Sequence, residues 1–94
     1  MRTPKLEKGF KRDMKREKKG RYRKILEEEL WEVVDVLARD MPLLYSFHDH
    51  PLRGDWEGSR ECHIRPDFLL IYTLEGDDVL RLERLGSHAE LFGL

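Results

Sequence analysis

The run Phe68-Leu69-Leu70-Ile71-Tyr72-Thr73-Leu74 constrains the fold more than any other stretch of the chain. It is apolar on both faces, too short for a buried helix and rich in β-favouring side chains, so it predicts a central strand covered on two sides. Glu75-Gly76-Asp77-Asp78 supplies turn chemistry, and Val79 to Leu85 returns as the second arm of a hairpin. Upstream, Ser59 to Arg65 alternates, with Cys62 and Ile64 on one side and Glu61, His63 and Arg65 on the other. These three segments predict an antiparallel meander.

One face of such a sheet needs a cover, and the first half of the chain offers helices. Between Pro4 and Gly20 the apolar residues Leu6, Phe10 and Met14 recur every four positions, a narrow stripe on a basic cylinder. After Gly20, a broad apolar face runs from Tyr22 and Ile25 through Leu30 and Leu37 to Met41, where Pro42 ends the helix. Trp31 projects almost opposite to that face, and so either tucks under a loop or offers an apolar handle to a partner. The expected class is α+β, two N-terminal helices packed on an antiparallel β-sheet. A length of 94 residues leaves room for one domain, residues 1–94. Between Leu43 and Gly58 the pattern lapses into a loop that carries His48 and His50, with Trp56 expected to close it onto the sheet.

The net charge of -1 conceals an asymmetry. Residues 1–24 hold twelve Lys and Arg against three Asp and Glu, whereas residues 25–94 hold six against sixteen. A basic block of this density is the electrostatic footprint for phosphate backbones or for an acidic protein partner. The lone Cys62 makes no internal bridge, which favours a reducing compartment. No apolar run approaches the roughly 18 residues of a membrane helix, and no signal-peptide pattern is seen, so the expectation is a cytoplasmic protein without a membrane partner.

All four histidines, His48, His50, His63 and His88, lie in the second half of the chain. A meander brings the middle of its first strand, the start of its second and the end of its third together, which gathers His63, Asp67 and His88, with His50 supplied by the preceding loop. A metal site, a structural capping role and acid–base chemistry compete for such a patch. The spacing is not that of a closed zinc site, and Cys62 sits on the opposite strand face from His63, so no metal or cofactor is expected. Two imidazoles held by a carboxylate, with Arg84, Arg65 or Arg53 near, suit phosphodiester transesterification in RNA, one group taking the 2′-hydroxyl proton and another protonating the leaving 5′-oxygen. Cys62 adjoins His63 in a strand and so faces away from it, which argues against a cysteine nucleophile. Glycine loops for nucleoside triphosphates are absent.

The stretch from His50-Pro51-Leu52-Arg53-Gly54 through His63-Ile64-Arg65-Pro66-Asp67 to Tyr72 closely resembles the YafQ-type toxins of the RelE/ParE superfamily, as does Leu80 to Gly93 with Arg84, Gly86-Ser87-His88 and Phe92. These segments make up roughly the last half of the chain. The resemblance implies a RelE-like fold with a short extra strand near Arg2 to Leu6, where periodicity alone suggests helix or tail. It implies a type II toxin: a ribosome-dependent endoribonuclease that cuts messenger RNA on the 70S ribosome, touches ribosomal RNA and is neutralised by a cognate antitoxin. Operator DNA would be met only through the antitoxin complex. Carried over by residue, it assigns His50, His63, Asp67 and His88 to catalysis, with His88 as proton donor and the base left among His50, His63 and Asp67. Arg84 and Phe92 become substrate contacts, although Phe92 also suits a C-terminal core anchor and Arg84 a salt bridge with a carboxylate. Phe68 stands where the family has Trp, Leu85 and Ser87 stand where it has Thr, and His48 matches no family position and reads as a loop residue. The alternative is a non-catalytic nucleic-acid- or antitoxin-binding module on the same scaffold, which would have no need of the histidine set.

Overall fold

The computed structural model describes residues 1–93. Five strands form one mixed sheet in the order β1-β5-β4-β3-β2: β1 (Thr3–Leu6), β2 (His50–Pro51), β3 (Arg60–Arg65), β4 (Phe68–Glu75) and β5 (Val79–Gly86). β4 occupies the centre because its side chains are apolar on both faces, and Phe68 to Tyr72 are all buried. The meander β3-β4-β5 forms as expected. β1 does not: it pairs parallel to β5, Thr3 opposite Val79 and Leu6 opposite Leu82, so the periodicity reading of helix from Pro4 is corrected and the extra strand stands. Four residues at a sheet edge with exposed side chains leave no alternation to read.

Helix α1 (Lys8–Glu17) follows, then α2 (Arg23–Ile25), a π-helical turn (Leu26–Leu30) and α3 (Trp31–Ala38). The second helix ends at Ala38 rather than Met41. Asp40 adopts a left-handed backbone (φ 56°), the Asp40 N–H returns to the Leu37 carbonyl and the Met41 N–H to that of Val36, which closes a Schellman stop and leaves Met41 largely exposed. The core lies between the helices and one sheet face, where Phe10, Leu26, Leu30, Val34 and Leu37 meet Cys62, Phe68, Leu70, Tyr72, Leu80, Leu82 and Leu85. Trp31 remains 39% exposed and meets Phe10 edge-on.

The expected stripe meets the core, with Phe10 buried and Leu6 and Met14 partly buried against it, but α1 also buries Asp13 and Glu17, which apolar spacing does not mark. The reason lies in β5. β1 covers the edge of β5 only as far as Leu82, and a bulge at Glu83 follows, where Ile71 pairs with Arg84 and Tyr72 with Leu82. Beyond that point α1 substitutes for a strand: Asp13 Oδ2 accepts the Leu85 N–H at 2.9 Å, and Arg16 Nη2 donates to the Leu85 carbonyl at 2.9 Å. The bulge also breaks the parity that would group Arg84 with Leu80 and Leu82; Leu85 joins the core instead. Arg84 lies against α1, where a Cβ at Gly9 would come within 2.8 Å of its Cδ.

The chain closes with α4 (His88–Phe92), which the hydrophobic pattern does not announce. Ser87 and Glu90 form a capping box: the Ser87 hydroxyl accepts the Glu90 N–H, and the Glu90 carboxylate accepts the Ser87 N–H.

Candidate active site

Strand register assembles the site. His50 on β2 pairs with Glu61 on β3, Glu61 pairs with Ile71, His63 pairs with Leu69, and Leu69 pairs with Gly86 on β5. Paired residues share a face, so Glu61 and His63 stand on the side opposite Cys62, above a floor of buried Leu69 and Ile71. His88 arrives two residues after Gly86. The His63 ring is central, its centroid 6.0 Å from that of His50 and 5.6 Å from that of His88. His48, read from sequence as a loop residue, joins the group with its ring 5.5 Å from His63. Its left-handed backbone (φ 49°) at the end of the turn Tyr45–Phe47 swings it there.

Two carboxylates organise these rings. Glu61 is buried, and its Oε2 lies 3.2 Å from Nε2 of both His50 and His63. Its Oε1 has no hydrogen-bond partner among the described residues. His50 Nδ1 meets the His48 carbonyl at 2.6 Å, so that nitrogen carries the proton and Nε2 faces the carboxylate. A proton on either Nε2 would be shared through Glu61, whose place in the site sequence reasoning missed; the available signal was its identical strand parity with His63. The ligand atoms of His50, Glu61 and His63 lie within 4.8 Å of one another, a set that also fits a transition metal and that no linear spacing reveals.

Asp67 serves His88. Its Oδ1 accepts the His88 backbone N–H at 2.9 Å and meets His88 Nδ1 at 2.7 Å, and these bonds hold the carboxyl below its ordinary 3.8. With Nδ1 bound to Asp67, the Nε2 edge of His88 is the one free for a substrate proton. An open cleft of about 620 Å³, lined in part by Phe47 and Arg65, gives access to the rings of His48, His50 and His63.

The cations are committed differently. Arg65 borders this cleft while its fork spans Glu29 at 2.7 and 3.0 Å. Arg84 binds Asp13 through Nε at 2.7 Å and Nη2 at 3.2 Å, the carboxylate partnership that its sequence position left open. Arg53 is exposed on the loop and makes no ion pair among the described residues. Phe92 sits on α4, 37% exposed, and Phe68 is fully buried and stacks on Tyr22 at 4.7 Å. Cys62 is buried; desolvation, with Asp49 and Glu61 adding, pushes its thiol well up and away from thiolate chemistry. No helix among the described residues is long and apolar enough to cross a membrane.

Comparison with known proteins adds to this geometry. Residues 2–93 match the family described as a bacterial toxin of type II toxin-antitoxin system, YafQ. The mRNA interferase toxin YafQ of Escherichia coli (strain K12) is 48% identical over 58 residues, a stretch that spans 62% of this chain and 62% of that relative's length. The chain in a crystal structure of the E. coli DinJ-YafQ complex is 37% identical with a TM-score of 0.84, covering 99% of this chain and 100% of that one. A metal-bound toxin from Helicobacter pylori is 42% identical with a TM-score of 0.81, covering 98% and 100%.

Proposed function

Since the chain belongs to the YafQ family of type II toxin–antitoxin toxins, we propose that it is an endoribonuclease that cuts messenger RNA on the ribosome by metal-independent acid–base transesterification. The observation that carries this reading is the grouping of His50 and His88 around His63, their ring centroids 6.0 and 5.6 Å from its own, each ring within 3.2 Å of a carboxylate oxygen. Asp67 is already engaged with His88, which leaves the pair His50 and His63, joined through Glu61, as the base. One imidazole of that pair removes the 2′-hydroxyl proton, and the 2′-oxygen attacks phosphorus. The P–O5′ bond breaks, His88 gives its proton to the 5′-oxygen, and a 2′,3′-cyclic phosphate remains. Arg65, at the cleft margin, neutralises charge on the phosphoryl oxygens once RNA competes for its fork. Arg84 holds α1 rather than substrate, and Phe92 lies on the same short helix as His88, where a base can stack on it.

The basic block suits ribosomal RNA. Lys8, Lys11, Arg12, Lys15, Lys18, Lys19, Arg21, Arg23 and Lys24 make no ion pair among the described residues, so their charge is free for phosphates. A cognate antitoxin is the protein partner this reading requires, with an acidic or amphipathic segment lying along the helices beside Trp31.

The deciding experiment expresses wild type and His88→Ala in bacteria and maps message ends. Arrest with new 5′ ends for wild type alone is the expected result. Arrest without new ends would replace the nuclease with the non-catalytic binding module.

A further inference from the structure

The helix that carries His88 cannot hold itself in place. α4 has five residues, buries none of them fully, and is far shorter than the length at which a helix persists on its own. What ties it to the body is polar. The Arg16 guanidinium, on α1, bridges three elements: Nε lies 2.8 Å from Glu17 Oε2 and 2.9 Å from Glu90 Oε2, Nη1 lies 3.0 Å from Asp13 Oδ1, and Nη2 donates to the Leu85 carbonyl at 2.9 Å. Glu90 in turn accepts the Ser87 N–H through Oε1 and thereby closes the capping box immediately ahead of His88.

The chain leaves space for this bridge. A Cβ on Gly86 would fall 2.7 Å from Arg16 Nη2 and 2.9 Å from Glu90 Oε1, so any side chain there would push the guanidinium off the turn. The residues from Leu85 to Glu90 are therefore gripped at both ends, by Arg16 on the carbonyl of Leu85 and by Arg16 again on the carboxylate of Glu90. His88 lies between the two grips, with Asp67 receiving its N–H and its ring.

We propose that Arg16, acting through Glu90 and the Leu85 carbonyl, is a positioning residue for His88. The inference rests on the acid–base reading above. Arg16 touches no reacting atom; it fixes where the proton donor stands. A displacement of about 1 Å in a catalytic group costs on the order of 10²-fold in rate, so loss of the bridge should be visible in turnover while RNA binding persists.

The test compares wild type, Arg16→Met, Glu90→Gln, His88→Ala and the double variant Arg16→Met/His88→Ala. Two readouts are used: cleavage of ribosome-bound message at saturating and limiting substrate, and carboxyl ¹³C titration of Asp67. The expected result is a fall of about 10²-fold in kcat with little change in KM for Arg16→Met, and a smaller fall for Glu90→Gln. In both, Asp67 should rise toward its ordinary 3.8, because the His88 bonds that lower it are loosened. The double variant should be no slower than His88→Ala. A full rate in Arg16→Met, or a slow variant in which Asp67 titrates as in wild type, overturns the proposal. If Arg16→Met does not fold, Glu90→Gln, which keeps a cap acceptor, decides on the same two criteria. Failure of the nuclease reading shows separately, as an unchanged rate in His88→Ala, while the Asp67 titration reads the bridge independently of activity.

Discussion

Two clusters of acid and base flank the end of β5, and they resemble each other in outline. In one, Asp13 is fully buried and meets Arg84 and Arg16. In the other, buried Glu61 meets His50 and His63. Each has a buried carboxylate between two bases carried on separate elements. The difference is the base. Guanidinium stays charged at any working pH and binds a carboxylate as a fixed fork, so the first cluster is a permanent joint between α1 and the sheet. Imidazole changes charge near neutrality, so the second can take up and release a proton without rearrangement. One geometry thus gives a fastener or a reactive group according to the side chain that faces the acid.

The largest expected effect falls on the reactive side. His88→Ala is expected to lower the cleavage rate by about 10²–10⁴-fold, with thermal stability close to wild type, because the ring is partly exposed and its removal leaves no buried group unpaired. A melting curve beside a rate assay checks both halves. A variant that loses stability as much as activity would erase the distinction between the clusters.

The fastener should answer in the opposite sense. Asp13→Ala leaves the Leu85 N–H and the Arg84 guanidinium without their acceptor and removes one of several from Arg16. Breaking a buried pair from one side costs about 3–5 kcal/mol, at the low end here because both arginines retain some solvent. In a domain of this size that predicts a fall in Tm of more than about 10 °C. Denaturant melts give the number directly. A drop under about 1 kcal/mol would mean that β1 and the hydrocarbon core hold the edge of β5 without this carboxylate.

Asp67 gives the pH dependence. Its carboxyl is held below 3.8 by the His88 N–H and ring, so the charged form is favoured in the folded protein. The sign follows: this contribution to ordering α4 is complete above 3.8 and disappears as pH falls through the lowered value. Protection from hydrogen exchange across residues 87–92, taken relative to the intrinsic rate at each pH, is expected to hold into the mildly acid range and to fall only below it. Asp67→Asn, whose side chain does not titrate, should weaken that acid transition and leave the part carried by Glu90, whose carboxyl, against desolvation, the Ser87 N–H and Arg16 hold below its ordinary range.

How far the sequence carries depends on which force sets each element. The meander and the second helix are readable because they are governed by apolar patterning: Cys62 and Ile64 meet the core from the strand face that alternation assigns, and Phe68 and Leu70 come from the run that is apolar on both faces. β1 and α4 are set by backbone pairing and by capping, which leave little hydrophobic trace; only Ser87 and Glu90, three residues apart, marked α4. The bulge at Glu83 shifts parity by one, which is why Arg84 could not be grouped correctly with Leu80 and Leu82. In the site, His63, Asp67 and His88 were brought together by turn logic and His50 by its loop. Glu61 stayed hidden because a charged residue on a strand is ordinarily solvated, and His48 because a single left-handed residue aims its ring.

The smallest effect concerns a third ion pair, intermediate between the two clusters. Arg65 and Glu29 make a bidentate contact like that of Arg84 and Asp13, yet both side chains are well exposed, 49% and 38%. An exposed pair contributes about 0–1 kcal/mol, so Glu29→Gln should leave the melting temperature nearly unchanged. The substitution should act on binding instead. Arg65 borders the histidine cleft, and freeing its fork adds an uncommitted cation where the phosphate is proposed to lie. KM for ribosome-bound message is expected to fall by a few-fold with kcat unaltered, and the gain should shrink as salt is raised. A Glu29→Gln protein that loses stability like Asp13→Ala would show that this pair is a fastener despite its exposure. An unchanged KM would move the phosphate site away from Arg65 and toward Arg53, the exposed loop cation that makes no ion pair among the described residues.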